Sequence, residues 1–401
     1  MMSADPRQVV VVGAGPAGML LAYQLVSSGV KVCVLERHPD FRREFRGELL
    51  QRSVVEQLER AGIFAKLVER GLALPDVERQ MFVGHRRRVR TPGLVEVGAI
   101  VSQPGFLELL HELCSTYPHY RLELGTTALA AIRDGERVVA LETRRSGALG
   151  RVDGDLFVVC NGRNSALRKS CMLETQTFAS TADALWLRFD FSDAAASLPS
   201  TVEVHMFGRG TVTVLQPSSA QRLHIAFSAP GDLAALKKDL PALRARLLPT
   251  LSGEVRRLVD EKLDARTETQ VLKILVDRVK SWHAPGILFL GDAAHTMSPS
   301  GGQGLNVAIR DTFVAANHLV PAITRGEAID AGVLGRIQDE RLPEIDALQA
   351  GQTRAAQMVM RPIVVLHLMF TVLALAMLFF GKRMRGSPRP PPIPLHLAKV
   401  S

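Results

Sequence analysis

A run of four valines near the amino terminus sets the first element. Val9-Val10-Val11-Val12 is β-branched and bounded by Gly13, so it reads as a buried strand. Residues 16–28 have helix-forming composition and stop at Gly29, which suits a helix C′ position. Residues 30–35 form a second apolar run closing on Glu36. Strand, turn, helix and strand in this order make a βαβ unit, which predicts that the two strands are parallel.

Further along, residues 106–114 predict a helix, while 137–144 and 155–159 predict strands. The segments 185–191, 201–207, 210–216 and 222–228 are short and partly alternating, with Gly, Pro and Ser between them. That pattern predicts an antiparallel sheet. Residues 233–248 and 253–263 turn helical, and 286–290 returns as a buried strand. The predicted class is α/β (α+β overall): a Rossmann-like βαβ domain interrupted by a mostly antiparallel sheet. No fixed-period repeat is present. Near the end, Ile363–Phe380 is an apolar stretch of 18 residues without a formal charge, predicted as a C-terminal helix.

Composition narrows the class of protein. At 47% hydrophobic and 22% charged, with Gly and Pro spread without period, the chain is neither disordered nor collagen-like. Its four cysteines contain no Cys-x-x-Cys pair, which argues against a disulfide framework or zinc site. Net charge is +9, but seven of those charges lie after Asp346, where no acidic residue remains. A nucleic-acid binder more often spreads its basic residues over the folded body. Arg86-Arg87-Arg88 with Arg90 reads as a solvated hairpin end, and no nucleic acid is expected as partner. Residues 1–6 lack the apolar stretch of a secretory signal, so a cytoplasmic start is expected.

The glycines of Gly13-Ala14-Gly15-Pro16-Ala17-Gly18 carry the first chemistry. Gly13 permits a tight turn, Gly15 lets the backbone approach a pyrophosphate, and Gly18 lets helix and strand pack closely. An anion there would meet free N–H groups and the positive end of the helix dipole. Glu36 ends the second strand, where its carboxylate suits the hydroxyls of an adenosine ribose and repels a 2′-phosphate. FAD or NAD is therefore expected rather than NADP. A second glycine-rich run, Gly291-Asp292-Ala293-Ala294-His295 through Pro299, Gly301, Gly302, Gly304, Leu305 and Asn306, follows the last buried strand. A simple NAD dehydrogenase has no need of it. Asp292 suits a ribityl hydroxyl, and glycines at 301, 302 and 304 let main-chain N–H groups approach a flat ring.

This second run resembles the FAD motif of the group A flavoprotein monooxygenases, the para-hydroxybenzoate hydroxylase-like family, and the similarity extends over most of residues 7–350. The resemblance places Arg37 and Arg46 near the FAD, Gln103 against the flavin side chain, and Pro299, Gly302, Gly304, Leu305 and Asn306 around the isoalloxazine. It implies a discontinuous FAD-binding domain (1–75, 102–175 and 275–355) and a substrate domain (76–101 and 176–274), to which the residues themselves add an apolar C-terminal helix (356–386), a possible membrane anchor, and a Pro-rich tail (387–401). It also implies that NADH or NADPH visits transiently and that O₂ then forms a C4a-hydroperoxyflavin, which delivers one oxygen atom to an electron-rich carbon. The family's middle motif, Asp-Gly-x-x-Ser-x-x-Arg, appears as Asn161-Gly162-Arg163-Asn164-Ser165-Ala166-Leu167-Arg168. Asn161 keeps hydrogen-bonding capacity and loses the charge, in a region that serves both FAD and the nicotinamide donor.

No second Gly-x-Gly-x-x-Gly exists to hold NAD(P)H permanently, and no redox Cys-x-x-x-x-Cys is present. No catalytic residue is assigned, because the flavin carries the chemistry. His295 reads as a structural residue within the motif. His205, Phe207, Trp186, Arg188 and Gln216 fall on sheet segments that either face a substrate or merely alternate; of these, His205 and Arg188 are the named candidates. Three readings of the apolar helix compete, packing on the cofactor domain, lying in the membrane interface and spanning it; its continuous apolarity and cationic flank favour contact with the inner face of the membrane, in the interface rather than across it. The expected activity is hydroxylation or epoxidation of a lipophilic aromatic metabolite, such as a prenylated quinolone- or quinone-like compound or a polyketide. Two rivals remain at this stage: a geranylgeranyl-reductase-like flavin enzyme, and a membrane-bound binding protein without turnover.

Overall fold

The structure, a computed structural model, describes residues 8–42, 48–89, 98–178, 183–191, 198–218, 222–299, 301–380 and 393. Gln8–Val12 and Lys31–Glu36 are parallel strands in register from Gln8 opposite Lys31 to Val12 opposite Leu35. They belong to a six-stranded sheet completed by Tyr120–Leu124, Leu156–Val159, Ile287–Phe289 and His283–Ala284. Only the last pairing is antiparallel. The valine run is buried throughout, as expected of parallel strands covered on both faces. Helices Pro16–Val26, Gln103–Ser115 and Gln303–Thr324 pack on this core through Leu20, Leu21, Phe106, Leu110, Val307 and Phe313.

Two glycines make the first turn possible. Gly13 has φ +101°, which a side chain rarely adopts. At Gly18 an added Cβ would lie 1.9 Å from the Gly13 carbonyl oxygen, so the helix can approach the strand only without a side chain.

The segments 185–191, 201–207, 210–216 and 222–228 become Ala184–Asp190, Val202–Gly208, Thr211–Pro217 and Arg222–Ser228, paired antiparallel. They lie in a seven-stranded sheet with Glu268–Leu272 at one end and Arg79–Val83 and Arg87–Val89 at the other. One pairing departs from the expectation: Arg79–Val83 lies parallel to Val202–Gly208. These two strands are 118 residues apart, so no hairpin dictates their direction. The helix expected over 233–248 is broken in two. Pro241 supplies no N–H for continuing hydrogen bonds, so Asp239 ends Leu233–Lys238 and caps Leu240–Leu247 by accepting from the Ala242 N–H. These helices and Gly253–Lys262 cover one face of the sheet, burying Leu185, Leu187, Leu215, Ile225 and Phe227. The opposite face turns toward the first domain.

A 29-residue helix, Ala331–Val359, leads to the C-terminal helix Ile363–Phe380. The joint docks on the sheet through Arg209 N–H to Arg361 O and Gly210 N–H to Val359 O, both 2.9 Å. Leu366 and Phe370 are buried against Val83, Val89 and Met206. Arg87 donates to the His367 carbonyl and to Thr371 Oγ1, each at 2.7 Å. Arg87 therefore fastens a helix, where a solvated hairpin end was expected. The other face of the helix is open, with Val364, Leu368 and Val372 at 73%, 65% and 58% exposure. Among the described residues no helix is long and apolar enough to cross a membrane. Eighteen residues rise only about 27 Å, against roughly 30 Å of hydrocarbon.

Gly18→Ala is expected to lower the thermal midpoint by several degrees, since overpacking against backbone typically costs about 1–3 kcal/mol. Differential scanning fluorimetry checks it, and an unchanged midpoint would show that the turn relaxes freely.

Candidate functional site

A cavity of about 3260 Å³ lies between the two sheets. Single small-molecule sites are typically about 300–1,000 Å³, so this one has room for a dinucleotide together with a second ligand. Its walls bring together Gly13, Gly15, Pro16, Ala17, Glu36, Arg37, Gln103, Asp292, Pro299, Gly302, Gly304 and Leu305. Residues from three distant stretches of sequence thus meet at one place. Arg46 lies outside the described residues.

The first turn points its helix N-terminus into this space. Nothing lies within 4 Å of a Cβ added at Gly15, leaving the main chain open to a ligand. The Glu36 carboxylate accepts from the Ala14 N–H at 2.7 Å and the His38 N–H at 2.9 Å. Ala14 is fully buried and serves through its N–H, which fixes the carboxylate. Gly18 acts by packing. Asn161 lines the cavity, and its buried Oδ1 has no hydrogen-bond partner among the described residues. A buried acceptor of this kind costs about 1–3 kcal/mol unless a ligand satisfies it. The open glycine cradle, the helix N-terminus and this orphaned acceptor together fit a bound dinucleotide.

Arg168, last residue of the middle motif, is buried and turned inward. It donates to the carbonyls of Ala293 (2.6 Å) and Asp292 (2.9 Å) and pairs with Asp277 (2.9 Å). Its role is to shape the Asp292 loop, so it is not free to meet a visiting nicotinamide. The same loop is anchored by Asp311, which is 0% exposed and accepts from Gly291 N–H (3.0 Å), His295 Nε2 (2.8 Å) and Arg341 Nε (2.7 Å). Burial pushes this carboxyl up, but His295 and Arg341 outweigh burial and hold it below the ordinary value. His295 is thus structural, matching the expectation. Asn306 is a correction. Its Nδ2 donates to the Leu49 and Gly302 carbonyls and its Oδ1 accepts from the Gln51 N–H. These bonds join the 49–51 segment to the glycine loop, so the Asn306 side chain braces that loop and does not line the cavity.

On the sheet, alternation separates the candidates. Trp186 and Gln216 line the cavity beside Val204, Met206, Val212, Val214 and Met81. His205 points to the opposite face, stacked on Phe82 at 4.6 Å and hydrogen-bonded to Gly84 O and Glu203. That removes it from the candidates, because neighbours along a strand face opposite ways. Phe207 goes with it. Arg188 shares the face of Trp186 but pairs with Glu268 at the sheet edge and does not line the cavity.

Two site residues were not singled out in the sequence. Arg79 is 9% exposed, lines the cavity and donates to the Gly301 carbonyl at 2.9 Å. Glu48 reaches across from the first domain to within 3.8 Å of His224. Burial pushes the Glu48 carboxyl up to about 7 despite Arg188 and Arg222, and burial with the same two arginines pushes His224 down to about 4. No pH charges both, so the pair is not an ion pair. Only tertiary contact reveals either residue; their local sequence shows an ordinary alternating strand and a short polar stretch.

The family model described as an FAD binding domain matches residues 7–350. The chain belongs to that family, that of the group A flavoprotein monooxygenases. It is 28% identical to 6-methylpretetramide 4-monooxygenase of Streptomyces rimosus over 363 residues, 88% of this chain and 84% of the relative. With rifampicin monooxygenase of Streptomyces venezuelae it shares 28% over 326 residues, 76% of this chain but only 62% of that relative's length. Several other curated relatives are likewise longer than this chain. Among solved structures, p-nitrophenol 4-monooxygenase PnpA of Pseudomonas putida superposes at TM-score 0.78 with 17% identity, covering 96% and 100% of the two chains. PqsL of Pseudomonas aeruginosa superposes at 0.75 with 20% identity, covering 89% and 97%. Both show the fold.

Glu48 favours the folded state when neutral. Its folded value of about 7 lies above the ordinary 4.5, so this contribution is full below about pH 4.5 and lost as pH rises through 7. The difference is on the order of 3 kcal/mol. Glu48→Gln is therefore expected to raise the thermal midpoint over wild type at pH 8 and to give no gain at pH 4.5, as read from melting curves across pH.

Proposed function

We propose that this chain is an FAD-dependent monooxygenase that takes electrons from NADH or NADPH and places one oxygen atom of O₂ on a lipophilic aromatic molecule. The observation that carries the reading is the meeting of both glycine-rich motifs and an amphipathic sheet face in one cavity. The Gly13–Gly18 turn would hold the pyrophosphate, Glu36 the adenosine ribose, Asp292 and Gln103 the ribityl chain, and Pro299 to Leu305 the ring. Bound FAD supplies the electron transfer and oxygen activation, chemistry that no side chain provides. The protein's part is to orient the two ligands, with the valine and methionine wall keeping water from the reacting face. The names of relatives acting on 6-methylpretetramide and rifampicin support a polyketide-like substrate, among which hydroxylation and epoxidation are the outcomes to distinguish.

Purified protein is expected to be yellow, or to take up added FAD with absorbance near 450 nm, and to consume NADH or NADPH faster when an aromatic substrate is added. Label from ¹⁸O₂ should appear in the product. Turnover without label would favour a reductase of the same fold, and a colourless protein that refuses FAD would end the reading altogether.

The outward row Val364, Leu368 and Val372 and the cationic residues that follow the helix in the sequence support work at the inner surface of a membrane, where a lipophilic substrate collects. Wild-type protein is expected to float with vesicles of phosphatidylcholine and phosphatidylglycerol, and Leu368→Asp with Val372→Asp to stay below. Wild type that stays below would restrict the enzyme to solution.

A further inference from the structure

The cavity changes character across the molecule. Beside the Glu268–Leu272 strand and around the first glycine turn, exposed lining residues such as Lys273, Arg42 and Arg60 are charged. Toward the other side of the large sheet the lining is Met81, Val204, Met206, Val212, Met358 and Met360. Met81, Met206, Val212 and Met358 also belong to the cluster that buries Leu366 and Phe370 of the C-terminal helix. The side chains that wall the cavity there are thus the same ones that seat the helix.

At Met360 this apolar wall reaches the outside. The residue lines the cavity and is also 56% exposed, at the joint between the last two helices. A Cβ added at Gly210 would lie 2.9 Å from Met360 Sδ, and one at Gly208 would lie 2.5 Å from the Ile363 nitrogen. Bare backbone at this hairpin turn therefore lets the joint close directly onto the sheet, with a thioether as the group over Gly210. Methionine is unbranched and has three rotatable bonds, so it can swing aside without disturbing the main chain. The surface beyond is apolar too. Val364, Leu368 and Val372 follow at intervals of four, share one helix face and stay exposed. An open apolar row of this kind marks a contact surface. Lys382, Arg383 and Arg385 come after it in the sequence and complement anionic lipid headgroups.

We propose that a lipophilic ligand enters the cavity at the Met360–Gly210 edge, from the hydrocarbon of a membrane lying against the exposed helix row, and that the Met360 side chain is the gate. The occupant of the row is lipid, because the row leads through Met360 to the apolar wall of the cavity and is followed by cations. The inference deepens the reading of an enzyme for lipophilic molecules and rests on it for the choice of ligand, but it concerns passage and is tested without turnover. A neutral ring entering here meets only thioether and aliphatic groups on its way to the glycine loops. By the other side it would have to displace water from Arg42, Arg60 or Lys273, and stripping water from a charge is costly.

The test is stopped-flow binding of prodan, a neutral aromatic dye whose emission overlaps flavin absorption, so that occupancy beside the flavin quenches it. The full chain loaded with FAD is mixed with dye in buffer, or with dye preloaded in vesicles of phosphatidylcholine and phosphatidylglycerol. Met360→Trp is expected to lower the association and dissociation rates together by roughly tenfold or more, with the dissociation constant and FAD affinity kept within about twofold, since a gate raises the barrier and leaves both end states alone. Met360→Ala should leave both rates at or above wild type. Leu368→Asp with Val372→Asp should slow transfer from vesicles several-fold and leave the rates from buffer unchanged. Wild-type rates in Met360→Trp overturn the proposal, because entry then lies elsewhere. So does a Met360→Trp protein that loses dye or FAD affinity without the paired slowing, since Met360 is then part of a wall. Unslowed vesicle transfer by the double variant overturns it as well, as does a wild-type dimer that the double variant dissociates, which assigns the row to a second copy of the chain. A wild type that never quenches the dye also ends it. If the paired slowing holds but no aromatic compound stimulates NAD(P)H oxidation, the port stands and the monooxygenase reading falls.

Discussion

A single carboxylate, Asp311, holds the site in shape. The segment from Gly291 to Pro299 is largely irregular backbone threaded through the interior, where main-chain N–H groups must find partners or cost free energy. Asp311 takes the Gly291 N–H, His295 and Arg341 at once, and so ties the loop to two long helices. Arg168 does the same from the opposite side by donating to the carbonyls of Ala293 and Asp292. Asn306 then sews the far end of the loop to the 49–51 segment. These polar anchors replace the regular hydrogen-bond ladder that the loop lacks, and they let glycines present bare backbone to a ligand.

The second constraint is the two-sided burial of the large sheet. Helices bury one face under leucine and phenylalanine, and the first domain encloses the other across the cavity. Because both faces are shielded, polar groups on the cavity side pay for their desolvation unless a ligand or a neighbour meets them. The displaced titration of Glu48 and His224, the open donors of Trp186 and Gln216, and the guanidinium of Arg79 are results of the same enclosure. The C-terminal helix closes the apolar end: its joint packs on Gly208 and Gly210, and Met358 and Met360 enter the cavity wall.

Much of this was legible in one dimension. The valine run, the spacing of Gly13, Gly15 and Gly18, and Glu36 at the next strand end fix a βαβ unit through local sterics alone. The second glycine run was readable because three glycines so close together have no use in a helix or an ordinary strand. The division of 233–248 by Pro241 was readable too, in principle, since the missing N–H is a property of one residue.

What escaped was orientation. A period of two says that a strand has two faces, but not which of them meets a ligand, and here both are buried. His205 and Gln216 therefore looked alike until the sheet placed one against Phe82 and the other in the cavity. Arg79 and Glu48 gave no signal, because what distinguishes them is the neighbours supplied by strands and loops more than a hundred residues away. Asn306 sat in a recognised motif yet turned out to hold that motif together. Local sterics and periodicity decided the cofactor scaffold of this protein from its sequence; long-range packing alone decided which side chains face its second ligand, since desolvation and counter-charge exist only once distant segments meet.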